Sequence, residues 1–103
     1  MRTVLFKELV EVIHELPHAT GIYTDMDKWR DSPLVTPLYL AGKEEEEEED
    51  FDEQIEARGL RNFFRKAQFE DVVKVERRKH PACTIDELAA AAMYYHHYDD
   101  FRP

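Results

Sequence analysis

His96, His97, Asp99 and Asp100 carry the densest set of potential metal ligands in the sequence. On a helix, His96, Asp99 and Asp100 fall within one turn, as do His97 and Asp100, and could present nitrogen and oxygen ligands together. A metal site needs a third converging ligand, and only His80 or a distant residue could supply it, so no metal is assigned. Asp25-x-Asp27 opens like a calcium loop, but Trp29, Arg30 and Thr36 stand at the fifth, sixth and twelfth positions, where that loop needs a ligand, a glycine and a glutamate. Cys83 sits at a helix start that could lower its pKa, but no base is placed to orient a nucleophile. The three glycines, Gly21, Gly42 and Gly59, form no phosphate loop, and the only serine, Ser32, lies in no nucleophile elbow. The sequence is read as non-enzymatic and without a cofactor.

The chemistry that remains is electrostatic. The net charge is −9, and it is localised. Residues 43–56 hold ten acids against Lys43 alone, whereas residues 57–103 hold nine bases and seven acids. A run of like charges repels itself and stays solvated. It is therefore either an acidic loop, at about 43–53, or a docking surface for a basic partner, which a dense patch of one sign attracts and steers. Phosphates would be repelled, so nucleic acid is not expected as a partner. A second patch, Tyr94 to Phe101, mixes tyrosines with Asp99 and Asp100 at a helix C-terminus, where acids oppose the helix dipole. Tyrosine beside acid suits an interface, and Trp29 is either a core residue or an interface anchor.

These residues need a scaffold. Leu5, Phe6, Leu9, Val10, Ile13 and Leu16 recur at helical spacing and predict a helix from about Thr3, its N-cap, to Leu16, stopped by Pro17. Thr20–Thr24 and Leu34–Leu40 predict strands, the second at an edge or bulged because Pro37 cannot donate to a ladder. They can pair antiparallel around a polar Asp25–Pro33 loop. Glu53–Arg58 predicts a helical turn closed by Gly59, and Leu60–Phe64 a third strand. Phe69–Lys79 predicts a helix with a basic last turn. Thr84-Ile-Asp-Glu87 is a capping box that opens a helix to about Tyr98, with Cys83 and Leu88 at the staple positions. The order α-β-β-(β)-α-α predicts an α+β fold: a small antiparallel sheet of two to three strands with three to four helices packed on it.

At 103 residues and 43% hydrophobic, one domain spanning 1–103 is expected. No apolar run approaches the ~18 residues of a transmembrane helix, and the first residues do not read as a signal peptide. A lone cysteine cannot form an internal disulfide, so a cytoplasmic setting is expected, with no membrane partner.

The segments TVLFKELVEVIHELP, GIYT, SPLVTPLYL, RGLRNFF and TIDELAAAAMYYHHYDDF together resemble small acidic bacterial proteins that act as immunity proteins of polymorphic toxin systems, including contact-dependent growth inhibition. The glutamate run departs from that pattern. The resemblance implies a protein that binds a cognate toxin domain, often a nuclease with a basic cleft, in a 1:1 complex. The implied contacts are Glu44, Glu45, Glu46, Glu47, Glu48, Glu49, Asp50 and Asp52, joined by Asp99 and Asp100, with Trp29, Tyr94 and Tyr98 as anchors. The competing expectation is a non-catalytic interaction adaptor whose acidic loop is only a spacer.

Overall fold

The computed structural model describes all residues, Met1–Pro103. Alternation of side chains builds the centre. In β2 (Gly21–Thr24) and β3 (Leu38–Ala41), Ile22, Leu38 and Leu40 face one way, and Tyr23, Tyr39 and Ala41 the other. The strands pair antiparallel with Ile22 opposite Leu40 and Tyr23 opposite Tyr39, so like faces meet like. β1 (Arg2–Val4) pairs with the far side of β3, and β4 (Arg61–Arg65) with the far side of β2. The result is an antiparallel sheet in the order β1-β3-β2-β4.

Both faces are covered. One carries α1 (Phe6–Val12), continued by a 3-10 turn Ile13–Glu15, together with α2 (Met26–Asp31), α5 (Lys66–Lys79) and α6 (Ile85–Tyr98). These bury the main core around Phe6, Leu9, Trp29, Phe64 and Phe69. The other face carries α3 (Lys43–Glu46) and α4 (Phe51–Ala57). Here Phe51 and Ile55 pack on Tyr23 and Ala41, with the Phe51 and Tyr23 rings edge to face at 5.4 Å. A bulge in β4 lets the consecutive residues Phe63 and Phe64 both enter the main core. No helix is long and apolar enough to cross a membrane.

The α+β class holds, but with four strands and six helices the architecture exceeds the expected two to three strands and three to four helices. Thr3 is not a helix cap. It lies in β1, and the first helix starts three residues later. A three-residue strand with only Val4 buried leaves no alternation to read, and its partner is in β3. The predicted Asp25–Pro33 loop contains α2, because Asp25 accepts from the Lys28 N–H at 3.2 Å and Met26 and Trp29, three apart, share a buried face. The second strand begins only after Pro37, at Leu38. The acidic segment expected as a loop is two helices joined by a turn over 47–50. The antiparallel pairing of the first two expected strands, Gly59 in the left-handed region at φ 69°, and the Thr84 capping box all stand as read.

Candidate functional site

The acidic tract is anchored at its start. Gly42 precedes α3, and its N–H donates to the Glu45 carboxylate at 3.2 Å. The Met1 ammonium lies 3.0 Å from the same carboxylate. Hydrogen bonds from that ammonium and from Gly42 hold Glu45 below the usual carboxylate range. Glu46 turns inward over the sheet. Arg65, at the end of β4, donates from Nη1 to its Oε2 at 2.6 Å and from Nη2 to its Oε1 at 2.8 Å, while Nη2 also reaches the Ala19 carbonyl at 2.7 Å. The Tyr23 hydroxyl donates to Glu46 Oε2. The Arg65 hydrogen bonds hold Glu46 below its ordinary pKa, and the glutamate raises that of Arg65. Burial foremost, then the bond to Glu46, pushes Tyr23 up to about 12.

The rest of the tract faces solvent. Glu44, Glu47, Glu48, Glu49, Asp50, Asp52, Glu53 and Glu56 are all exposed. Glu47 has only a loose contact with Lys43 at 3.9 Å, and Asp50 accepts from Gln54 at 2.7 Å. None of the other six has a basic side chain within 4.0 Å, so their charge is uncompensated. Asp52 and Glu53 stand in the first turn of α4, where the helix dipole favours acids.

Part of this face is concave. The register that sets Thr24 opposite Arg61 brings the start of α2 beside the turn before β4. Between them and α4 opens a groove of about 580 Å³. Met26, Ile55 and Leu60 supply its apolar lining, and Asp25, Asp27, Asp52, Glu56 and Arg61 its charged lining. Asp25, Asp27 and Glu56 were not among the expected contacts. Their convergence depends on strand register, which leaves no local mark in the sequence.

The remaining expected contacts are scattered. Trp29 is not a surface anchor: it is fully buried, 4.6 Å from the Phe63 ring and 5.7 Å from Phe6, because α2 turns it into the core. The Tyr94 and Tyr98 rings meet at a tilt, centroids 4.5 Å apart, with Tyr98 60% exposed. Asp99 ends α6 in the left-handed conformation, φ 55°, which a short polar side chain tolerates, so its place has a structural cause. Asp100 accepts from the Phe101 N–H. α6 packs on the opposite face of the sheet from α4, so the structure does not merge the tyrosine patch with the acidic tract.

Nothing gathers metal ligands. No three His, Cys, Asp or Glu side chains converge to hold an ion. His96 instead lies against Phe63 and Phe64, at 5.3 and 6.0 Å, and burial holds its pKa below the ordinary value. Cys83 is half-buried against the core beside α6.

Residues 3–102 match a family described as a domain of unknown function, DUF7716. The chain belongs to that family. No curated protein and no solved structure matches it. The family match takes in the sheet, both helical layers and the acidic tract, so the groove lies wholly inside the DUF7716 domain.

Proposed function

We propose that this DUF7716 domain is a non-catalytic binding protein that docks its acidic face on a basic protein, and that the partner is a cognate bacterial toxin domain which it neutralises in a 1:1 complex. The observation that carries this reading is the groove between α2 and α4, where four carboxylates from separate segments border an apolar floor. Such a surface can steer a basic partner by charge and hold its cations among the converging carboxylates. The uncompensated acids Glu48 and Glu49 of the turn, with Asp52 and Glu53 at the start of α4, extend the same charge outward. A nuclease toxin fits best, because its phosphate-binding cleft must be basic. The sequence resemblance to immunity proteins points the same way.

A second reading is favoured by Tyr94 and Tyr98: an adaptor that binds through α6 and uses the acids only for solubility. One experiment separates the two. The chain is used to capture its partner from the native lysate, beside a variant with Glu44, Glu47, Glu48, Glu49 and Glu56 changed to Gln and Asp25, Asp27, Asp50 and Asp52 to Asn. A stoichiometric basic protein, toxic alone, silenced by the native chain and not by the variant, is the expected result. A partner held equally by both chains, with no salt dependence, would sink the toxin reading in favour of the adaptor.

A further inference from the structure

An acid sits where helix α5 calls for an apolar residue. Phe69, Val72, Val73 and Glu76 line its buried face, and Glu76 is 2% exposed. An isolated buried carboxylate must be neutralised or paired. Glu76 is paired by a residue from beyond α6. Arg102 Nε donates to both its oxygens, Oε2 at 3.2 Å and Oε1 closer. The Arg102 Nη2 also lies 4.0 Å from Glu87, and His80 Nε2 lies 4.0 Å from Glu76 on the outer side. Val72, Val75, Ala91 and Phe101 wall this cleft, and with Arg102 in place only about 10 Å³ is left open.

The segment that fills the cleft is held by side chains alone. The last backbone–backbone hydrogen bond runs from the Asp99 N–H to Tyr95, and residues 100–103 make none. Side chains fix them: Phe101 packs against the main core with its ring 5.1 Å from Tyr95, Lys79 Nζ donates to the Arg102 carbonyl at 2.8 Å, and the Arg102 side chain pairs with Glu76. Held by side chains alone, the segment can leave only if Glu76 keeps a cation partner, because an unpaired buried carboxylate is costly, so an incoming guanidinium is what can replace it. A buried ion pair is also a poor device for stability alone, since apolar residues of like volume do as well or better. Its strength is selection, because a planar guanidinium matches a carboxylate where an ammonium does not.

We propose that the α5–α6 cleft is a recognition site for an arginine-bearing peptide, with Glu76 as the reader of the guanidinium, and that residues 99–103 are a strap occupying it with the chain's own Phe101–Arg102 pair. An arginine preceded by an aromatic residue on a second protein replaces the strap. The site is separate from the acidic groove: it is lined by α5, α6 and the segment after α6, and none of its residues lines the groove.

The test uses the full chain and the peptide acetyl-Asp-Phe-Arg-Pro-amide. Arg102→Ala is expected to lower Tm, and the peptide to bind this variant saturably and restore Tm. The native chain should bind about tenfold more weakly, because its strap competes. A citrulline version of the peptide, and the variant with both Glu76→Gln and Arg102→Ala, should show no binding. Absence of saturable binding to folded Arg102→Ala, or equal binding of the citrulline peptide, overturns the proposal. Should Arg102→Ala fail to fold, the Arg102 Nε–H signal of the native chain is followed by NMR during peptide titration. Displacement shifts it, and a signal unmoved by millimolar peptide overturns the proposal equally.

Discussion

Arg65 holds Glu46 in a two-pronged grip, Nη1 to Oε2 at 2.6 Å and Nη2 to Oε1 at 2.8 Å, directly above a glycine that leaves no room for a methyl group. A Cβ added at Gly21 would stand 2.6 Å from Glu46 Oε2 and 2.7 Å from Arg65 Nη1. The grip is what ties the acidic helix α3 to the sheet. Glycine at position 21 is thus explained by close approach of an ion pair.

Gly21→Ala is expected to keep the fold, because the two closest atoms are the ends of long side chains that can swing away, while the Tyr23 ring at 3.0 Å need give only slightly. The change removes charge-assisted hydrogen bonds worth about 1.5–3 kcal/mol, discounted because Arg65 is partly exposed. It regains about 0.4–1 kcal/mol from the stiffer unfolded chain. A net loss of about 1 kcal/mol in urea unfolding is expected. Amide exchange should quicken over 43–46 more than in α5 or α6. Equal quickening everywhere would show that the grip does not hold α3 in place.

The same cluster sets two pH limits. The folded pKa of Tyr23 is raised from its ordinary 10.0 to about 12. A raised folded pKa means stability that is complete below pH 10.0 and drains away as the pH climbs toward about 12. Tyr23→Phe should flatten that alkaline decline. Glu46 is shifted the other way, downward. Its contribution is complete above the ordinary carboxylate range and is lost as the pH falls through its lowered folded pKa. Glu46→Gln should flatten the acid limb and leave the alkaline limb of the native chain with a smaller slope, since Glu46 helps raise Tyr23. Denaturant midpoints across the pH range read both limbs. An alkaline slope unchanged in Tyr23→Phe would mean another group sets it.

Local signals were legible and distant ones were not. The Thr84–Glu87 box and the Gly59 stop are complete within a few residues, so the sequence shows them outright. Arg2–Val4 becomes a strand only because β3 lies beside it, and three residues carry no period of their own. Arg65 and Glu46 are 19 residues apart and meet through topology. As for the site, the outward acids could be read from the charge run, whereas Asp25 and Asp27 join them only through the β2–β4 register. Trp29 had two readings because a lone tryptophan has no period. Its neighbour Asp25, as N-cap of α2, was the clue that the segment is helical and turns the indole inward.

Trp29 serves as a folding probe. It is 0% exposed, ringed by Phe6 and Phe63, and its Nε1–H has no hydrogen-bond partner. Trp29→Ala should cost about 3–5 kcal/mol through the cavity it leaves. Trp29→Phe should cost clearly less, because it also removes an unsatisfied buried donor that is itself a penalty of about 1–3 kcal/mol. Native emission should be blue-shifted and barely quenched by iodide, before and after partner binding. Strong quenching that a partner relieves would place the indole at the surface and contradict its burial.

The two acidic regions can be ranked against each other because they share no residue: the groove lies between α2 and α4, and Asp99 and Asp100 follow α6. Asp52→Asn with Glu56→Gln removes two carboxylates from the groove between α2 and α4. Asp99→Asn with Asp100→Asn removes the same formal charge from the end of α6, where asparagine still suits the left-handed position of residue 99. Both pairs change net charge alike, so any long-range steering by total charge falls equally. What differs is the local field and the contact. If the groove docks a basic toxin, the first pair should slow association about tenfold at low salt, and the gap between variants should close as salt screens the field. The first pair should also speed dissociation, since a cation in the groove would then keep only Asp25 and Asp27 as counter-charges. Stopped-flow association at several salt concentrations separates these terms. If instead the Asp99 and Asp100 pair is the one that slows binding, the interface is the α6 face with Tyr94 and Tyr98, and the groove is only a solvated cleft.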